Sequence, residues 1–192
     1  MPRLALPLAS TTLALLLAGC ASPGGHDHGK GDGGMMEQHM AGMKGHVAVA
    51  SLTPTQGNNV RGLLVFHEMG DHLMVHVQVS GLKPGAEHGM HIHEKGDCAS
   101  VDGTSAGGHF NPDGKPHGPQ NAPHHAGDMP PLKADANGVA DQKFMLMGPT
   151  VAAGPASLVG RAVIVHANPD DFTTQPTGNS GARIGCGVIA GY

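Results

Sequence analysis

From His72 to Leu82 the chain alternates with a period of two. Leu73, Val75, Val77 and Val79 fall on one side of an extended segment, and His72, Met74, His76 and Gln78 fall on the other. That pattern predicts a strand with one buried face. Similar apolar runs open at "HVAVASL" from His46 and at "NNVRGLLVFHEM" from Asn58, and "MGD" between the second and third run is a hairpin signal. "KPGAE" turns the chain into "GMHIHEKGDC", Gly89 to Cys98. After that come some 35 residues rich in Gly, Pro and His, too long for a simple connection and so expected to be a functional loop. Strands resume at "PLKA" and "GVADQKFMLM", joined by the turn "DANG", then at "GRAVIVHA", and after a second loop at "GCGVIAG". The expected fold is all-β: an antiparallel sandwich or flattened barrel of about eight strands with two long loops.

Composition agrees with short strands and long connections, since the 192 residues include 31 Gly, 15 Pro, no Trp and one Tyr. The net charge of −4, without a basic stripe, gives no sign of a nucleic-acid partner. Fifteen histidines make imidazole the side chain to follow. In "GMHIH" the side chains of His91 and His93 leave an extended backbone on one side, about 7 Å apart, and those of Met90 and Ile92 leave on the other. Two imidazoles so placed can turn onto one ion. The long loop adds His109, His117, His125 and Asp128, a three-imidazole, one-carboxylate set suited to tetrahedral Zn²⁺. His166 closes the apolar run "VIVH".

The N-terminus reads as an export signal over residues 1–19, with Arg3 ahead of the apolar "TTLALLLAG". "LAGC" is similar to a bacterial lipoprotein box, which makes Cys20 the lipidated first mature residue; an ordinary cleaved signal with a stray cysteine is the plainer alternative. Residues 20–45 lack the branched apolar side chains a core needs and read as a tether leading to the domain at 46–192. The tether holds His26, His28, His39, Met35, Met36, Met40 and Met43, either an incidental composition or an arm that gathers copper. In an exported, oxidising setting Cys98 and Cys186 remain to pair, the alternative being two free buried thiols.

"GMHIHEKGDC", "SAGGHFNP", "HAGD", "VIVHANPDD" and "TGNSGARIGCGVIAG" resemble, in order, the signatures of copper,zinc superoxide dismutases. The resemblance implies a Greek-key β-sandwich. It implies copper held by His91, His93, His109 and His166, and zinc held by His109, His117, His125 and Asp128, one ion of each per subunit, with the His109 ring bridging them. Asp170 matches an aspartate that links a copper-ligand ring to a zinc-ligand ring, and Arg183 matches an arginine that seats an anion near copper. Cys98 and Cys186 match the family's disulfide, and His88 matches a histidine that buttresses the copper loop. In the motif the H-x-x-D spacing selects His125 over its neighbour His124, while His67, His72 and His76 are expected on the solvent face.

The implied reaction is dismutation of superoxide to O₂ and H₂O₂ by a copper ion that cycles between Cu²⁺ and Cu⁺, with zinc structural. Between Asp171 and Arg183 the chain carries no charge, so Arg183 and the metals are expected to do most of the local steering of the anion. The rival reading is an exported lipoprotein that stores or delivers copper and zinc without turnover. Superoxide is the expected substrate and the lipid anchor at Cys20 the expected membrane contact, facing the periplasm or cell exterior. A second copy in a homodimer and a copper donor to the arm are further partners the chain admits.

Overall fold

The computed structural model describes residues 46–192; the expected export signal, the expected lipidation site Cys20 and the His/Met-rich arm lie outside the described residues. Among the described residues nine strands form: β1 (Val47–Pro54), β2 (Arg61–Glu68), β3 (His72–Ser80), β4 (Glu87–His88), β5 (Met90–His93), β6 (Leu132–Lys133), β7 (Ala140–Met147), β8 (Ala162–His166) and β9 (Arg183–Gly191). Seven of them make one antiparallel sheet in the order β5-β8-β9-β1-β2-β3-β7, and β4 pairs with β6 in a second, two-stranded sheet. The small sheet spans the gap between the two edges of the large one. β4 runs through Gly89 into β5, and β6 is tied to β7 by Lys133 N–H donating to Gln142 Oε1 at 2.6 Å. The result is the flattened, nearly closed antiparallel barrel expected from the apolar runs.

The alternation in β3 is realised as expected: Leu73, Val75, Val77 and Val79 are at most 1% exposed. They pack with Ala48, Ala50, Leu52, Leu64, Phe66, Met90, Ile92 and Leu146 in one core. Each such Leu, Val or Phe contributes about 1.5–3 kcal/mol on leaving water. The "MGD" turn closes β2 onto β3, with Gly70 at φ 78° and Met69 N–H donating to His72 O at 2.8 Å.

Two departures from the expected strands matter for the site. The run into "MHIH" is broken at Gly89, whose N–H donates to Asn168 O at 2.8 Å and where a Cβ would lie 2.6 Å from Ser180 Oγ. A second loop therefore packs directly on the start of the two-histidine strand. The last strand also begins earlier than the apolar run suggests, at Arg183, where a register shift between Val165 and His166 sets His166 opposite Arg183. Cys98 and Cys186 are joined in a disulfide with Cα atoms 5.8 Å apart, which pins the loop after β5 to the middle of β9.

Candidate metal centre

Strand β5 is buried on both faces, unlike the one-sided strand β3. Met90 and Ile92 enter the core, and His91 and His93, 0% and 1% exposed, enter a cluster of imidazoles formed where the long loops fold back over β5 and β8. Isolated backbone bridges draw the loop to the strand: His91 lies across from Asp128 and His93 across from His109. The ring of His91 stacks on that of His109 with centroids 4.0 Å apart, and His166 approaches from the end of β8 at 5.0 Å from His91.

Four of these rings share one peculiarity: each has one nitrogen engaged and one without a partner. His91 Nε2 meets Asp170 Oδ2 at 2.6 Å, His93 Nδ1 meets Gly107 O at 2.9 Å, His109 Nδ1 meets Asp128 Oδ1 at 3.0 Å and His166 Nδ1 meets Gly181 O at 3.2 Å. The opposite nitrogens, His91 Nδ1, His93 Nε2, His109 Nε2 and His166 Nε2, are buried without a hydrogen bond. Orphaned buried polar atoms cost about 1–3 kcal/mol each, so four together in one group call for a shared partner. These four residues can bring one donor atom each within 4.8 Å of one another. Four convergent nitrogens suit a tetragonal Cu²⁺ ion.

A second convergence adjoins the first. His109 Nδ1 and His117 Nδ1 each lie 3.0 Å from Asp128 Oδ1, and His125 Nδ1 lies 3.4 Å from both His109 Nδ1 and Asp128 Oδ1. A tetrahedral site with bonds of about 2.0–2.1 Å has donor atoms about 3.3 Å apart, and these four separations lie near that value. His91, His109, His117 and Asp128 can also bring one donor atom each within 4.8 Å of one another. His91 nonetheless belongs with the first set, because its Nε2 is taken by Asp170 and its Nδ1 is the free atom. His124 accepts no such role: its ring is turned to Ala122 O, outside the cluster.

Asp170 joins the two halves, accepting from His91 Nε2 at 2.6 Å and from His117 Nε2 at 2.9 Å. It orients both rings, so that each, in its neutral form, turns an Nδ1 lone pair into its own half of the site. Burial works against the Asp170 charge, but the bonds from His117 and His91 outweigh it and hold the carboxyl well below the usual range. Asp128 is likewise held down by His109 and His117 against its burial. Burial is the main reason that His91, His93 and His166 stay neutral, with pKa values lowered to about 4, 2 and 3. Neutral imidazoles and ionised carboxylates are the ligand forms a cation needs.

Arg183 donates from Nη1 to Gly103 O at 2.8 Å and from Nη2 to Gly107 O at 2.7 Å. Gly107 O also accepts from His93, so one carbonyl fastens the arginine to the imidazole cluster. A hollow of about 380 Å³ borders Arg183, lined by residues such as Thr55, Asn58 and Asp102 but by no histidine; it lies beside the cluster and not over it. His88 bonds His166 O at 2.8 Å and stands outside the cluster, as a brace for that strand end. His67, His72 and His76 are on the outer face of the sheet.

Sequence reasoning passed over three positioning residues. Gln175 forms a two-way backbone clasp on His117, with both bonds at 2.8 Å, and nothing in its surroundings in the sequence marks it. Gly107 and Gly181 act through their carbonyls, and only the density of glycine in the two loops hinted at such close backbone approach.

A profile of the copper/zinc superoxide dismutase (SODC) family matches residues 60–189. The chain belongs to that family. A superoxide dismutase-like protein, YojM, of Bacillus subtilis (strain 168) is 42% identical over 138 residues, covering 68% of this chain and 69% of that one. Superoxide dismutase (Cu-Zn) 2 of Aquifex aeolicus (strain VF5) is 39% identical over 147 residues, covering 74% and 85%. Among solved structures, a SOD-like protein from Bacillus subtilis superposes with a TM-score of 0.67 at 41% identity, covering 74% of this chain and 97% of that one. The clock protein EA4 superposes with a TM-score of 0.69 at 34% identity, covering 77% and 95%. Family membership implies copper and zinc as the metals, and the two neighbouring donor sets are candidate places for them.

Proposed function

We propose that the chain dismutates superoxide, 2 O₂⁻ + 2 H⁺ → O₂ + H₂O₂, at a copper site joined through His109 to a zinc site. The observation that carries this reading is the set of four unpartnered nitrogens on His91, His93, His109 and His166, next to a zinc-spaced set that shares His109. When bound, copper supplies the one-electron couple and zinc a redox-silent positive charge.

The protein's own part begins with tautomers. Asp170 accepts from Nε2 of His91 and His117, Gly107 O and Gly181 O accept from Nδ1 of His93 and His166, and the opposite nitrogens of His91, His93 and His166 are left without a partner. His109 would hold copper at Nε2 and zinc at Nδ1, giving up both ring protons. Two adjacent cations offset the cost of that deprotonation. His109 Nε2 has no competing hydrogen-bond partner, so it is the atom at which the chain can take up a proton and hand it on. Arg183 presents a guanidinium fixed by two carbonyls beside His93, a rigid positive charge for a small anion.

Metal storage without turnover needs the donors but not a seated arginine, and the bond network around Arg183 favours the enzyme. Export and lipid anchoring through Cys20 complete the proposal; the Cys98–Cys186 disulfide suits an oxidising compartment. The test is superoxide decay in the presence of the copper- and zinc-loaded chain, set against an equal amount of chelated copper. The loaded chain should be faster by several orders of magnitude, and His109→Ala should lose most of that advantage. A loaded wild type no faster than chelated copper would support storage instead.

A further inference from the structure

Away from the imidazole cluster, the outer face of β2, β3 and β7 carries an array made of methionine and histidine alone. Strand register sets His67 opposite Met74 and Met74 opposite Met145, which forms one row across the three strands. The next row places Met69 beside His72, through the 2.8 Å backbone bond between them, and His72 opposite Met147. Directly opposed residues hold their Cβ atoms about 4.5–5.5 Å apart, so the two rows form a contiguous patch. The opposite faces of the same strands supply the core residues Leu64, Phe66, Leu73, Val75 and Leu146, which separate the patch from the histidine cluster.

Methionine ordinarily fills cores, as Met90 and Met129 do here at 0% and 1% exposed. Met69, Met145 and Met147 are instead 56%, 58% and 47% exposed. Flexible thioethers gathered on a surface around two imidazoles make a soft donor set, whose rows contain methionine and histidine and no acidic residue. Such a set discriminates against Zn²⁺, Mg²⁺ and Ca²⁺ and in favour of monovalent copper. His72 is further prepared: its Nδ1 meets Asp71 Oδ1 at 2.9 Å, which directs the Nε2 lone pair outward, the arrangement by which carboxylates orient metal-binding imidazoles.

We propose that this face binds Cu⁺, through the thioethers of Met69, Met74, Met145 and Met147 with His72 or His67, at a site separate from the histidine centre. The cation is held and released in its reduced state, so no electron transfer is involved. The site would serve as a docking place for monovalent copper on the folded domain itself, independent of the His/Met-rich arm.

Silver(I) is the probe, being soft, monovalent and redox-silent. The full chain, labelled with ¹³C at its methionine methyl groups and first saturated with Zn²⁺, is titrated with Ag⁺. The methyl resonances of Met69, Met74, Met145 and Met147 should shift and saturate together, while those of Met90 and Met129 stay in place. A variant with Met69→Leu, Met74→Leu, Met145→Leu and Met147→Leu, which nearly conserves volume, should keep the fold and lose one tightly held Ag⁺ per chain. Asp71→Ala should weaken binding about tenfold through the loss of His72 orientation. Sheet methionines that stay unmoved while Met35, Met36, Met40 and Met43 respond would overturn the proposal. So would an unchanged Ag⁺ count in the four-leucine variant.

Discussion

Gly178 lies so close to Asp170 that no other residue fits: a Cβ there would overlap the Asp170 carboxylate and come within 2.5 Å of His117 Nε2. Its φ of 65° adds a backbone preference to the steric one. Gly178 thereby keeps the Asp170–His117 bond in place from behind. Gly178→Ala should weaken zinc retention by about 10–100-fold, the range typical when a partner of a ligating imidazole is displaced. Chelator competition reads this directly, and Asp170→Asn should reproduce it.

Removal of the metals exposes opposing titrations. His91, His93 and His166 have native pKa values of about 4, 2 and 3, lowered chiefly by burial, so they resist the protons that the unfolded chain takes up below about pH 6.5. Stability of the metal-free protein should therefore fall as pH drops from about 6.5 toward 4. His117 behaves oppositely: burial disfavours its charge, but Asp128 and Asp170 raise its pKa to about 9. Its contribution is complete below about pH 6.5 and is lost as pH rises through about 9. Thermal melts of the chelator-treated chain should peak near neutrality, with His117→Asn removing the alkaline decline.

The outline of this protein is readable in its sequence because its strands alternate cleanly, and because its metal-donor residues recur in short, distinctive runs. Leu73 to Val79 announced a buried face, and His91 and His93 announced a shared side of a strand. The break at Gly89 and the early start of β9 at Arg183 were not readable, since both depend on contacts with the loop around Asn168–Ser180 and on a register shift. Gln175 was hidden for the same reason: its role comes from a residue 58 positions away. The methionine–histidine patch exists only through pairing of three strands, so no local window contains it.

Arg183 should matter for rate more than for fold. Arg183→Ala removes the fixed positive charge near His93 and should slow superoxide consumption by about tenfold, within the range that local fields contribute. Arg183→Lys retains charge but not the two-carbonyl fork, and should fall between the two. With no charged residue from 172 to 182, added salt should slow the wild type only modestly, and Arg183→Ala hardly at all. Initial rates across an ionic-strength series check all three expectations.

The disulfide closes a sequence separation of 88 residues. Chain entropy alone makes such a link worth about 4–5 kcal/mol. Cys98→Ser with Cys186→Ser should lower the denaturation midpoint accordingly, and should also loosen the Gly103–Gly107 segment that holds Arg183. Urea unfolding with and without reductant measures the first effect, and the superoxide rate at low denaturant measures the second.

In the proposed centre the ring of His109 serves two cations at once, one at each nitrogen. Electron paramagnetic resonance of the chain loaded with Cu²⁺ in both halves tests it most directly, because two Cu²⁺ ions joined by one deprotonated imidazole couple magnetically. A coupled, strongly diminished signal is expected, reverting to that of isolated Cu²⁺ in His109→Ala. Two independent copper signals of full intensity in the wild type would contradict it.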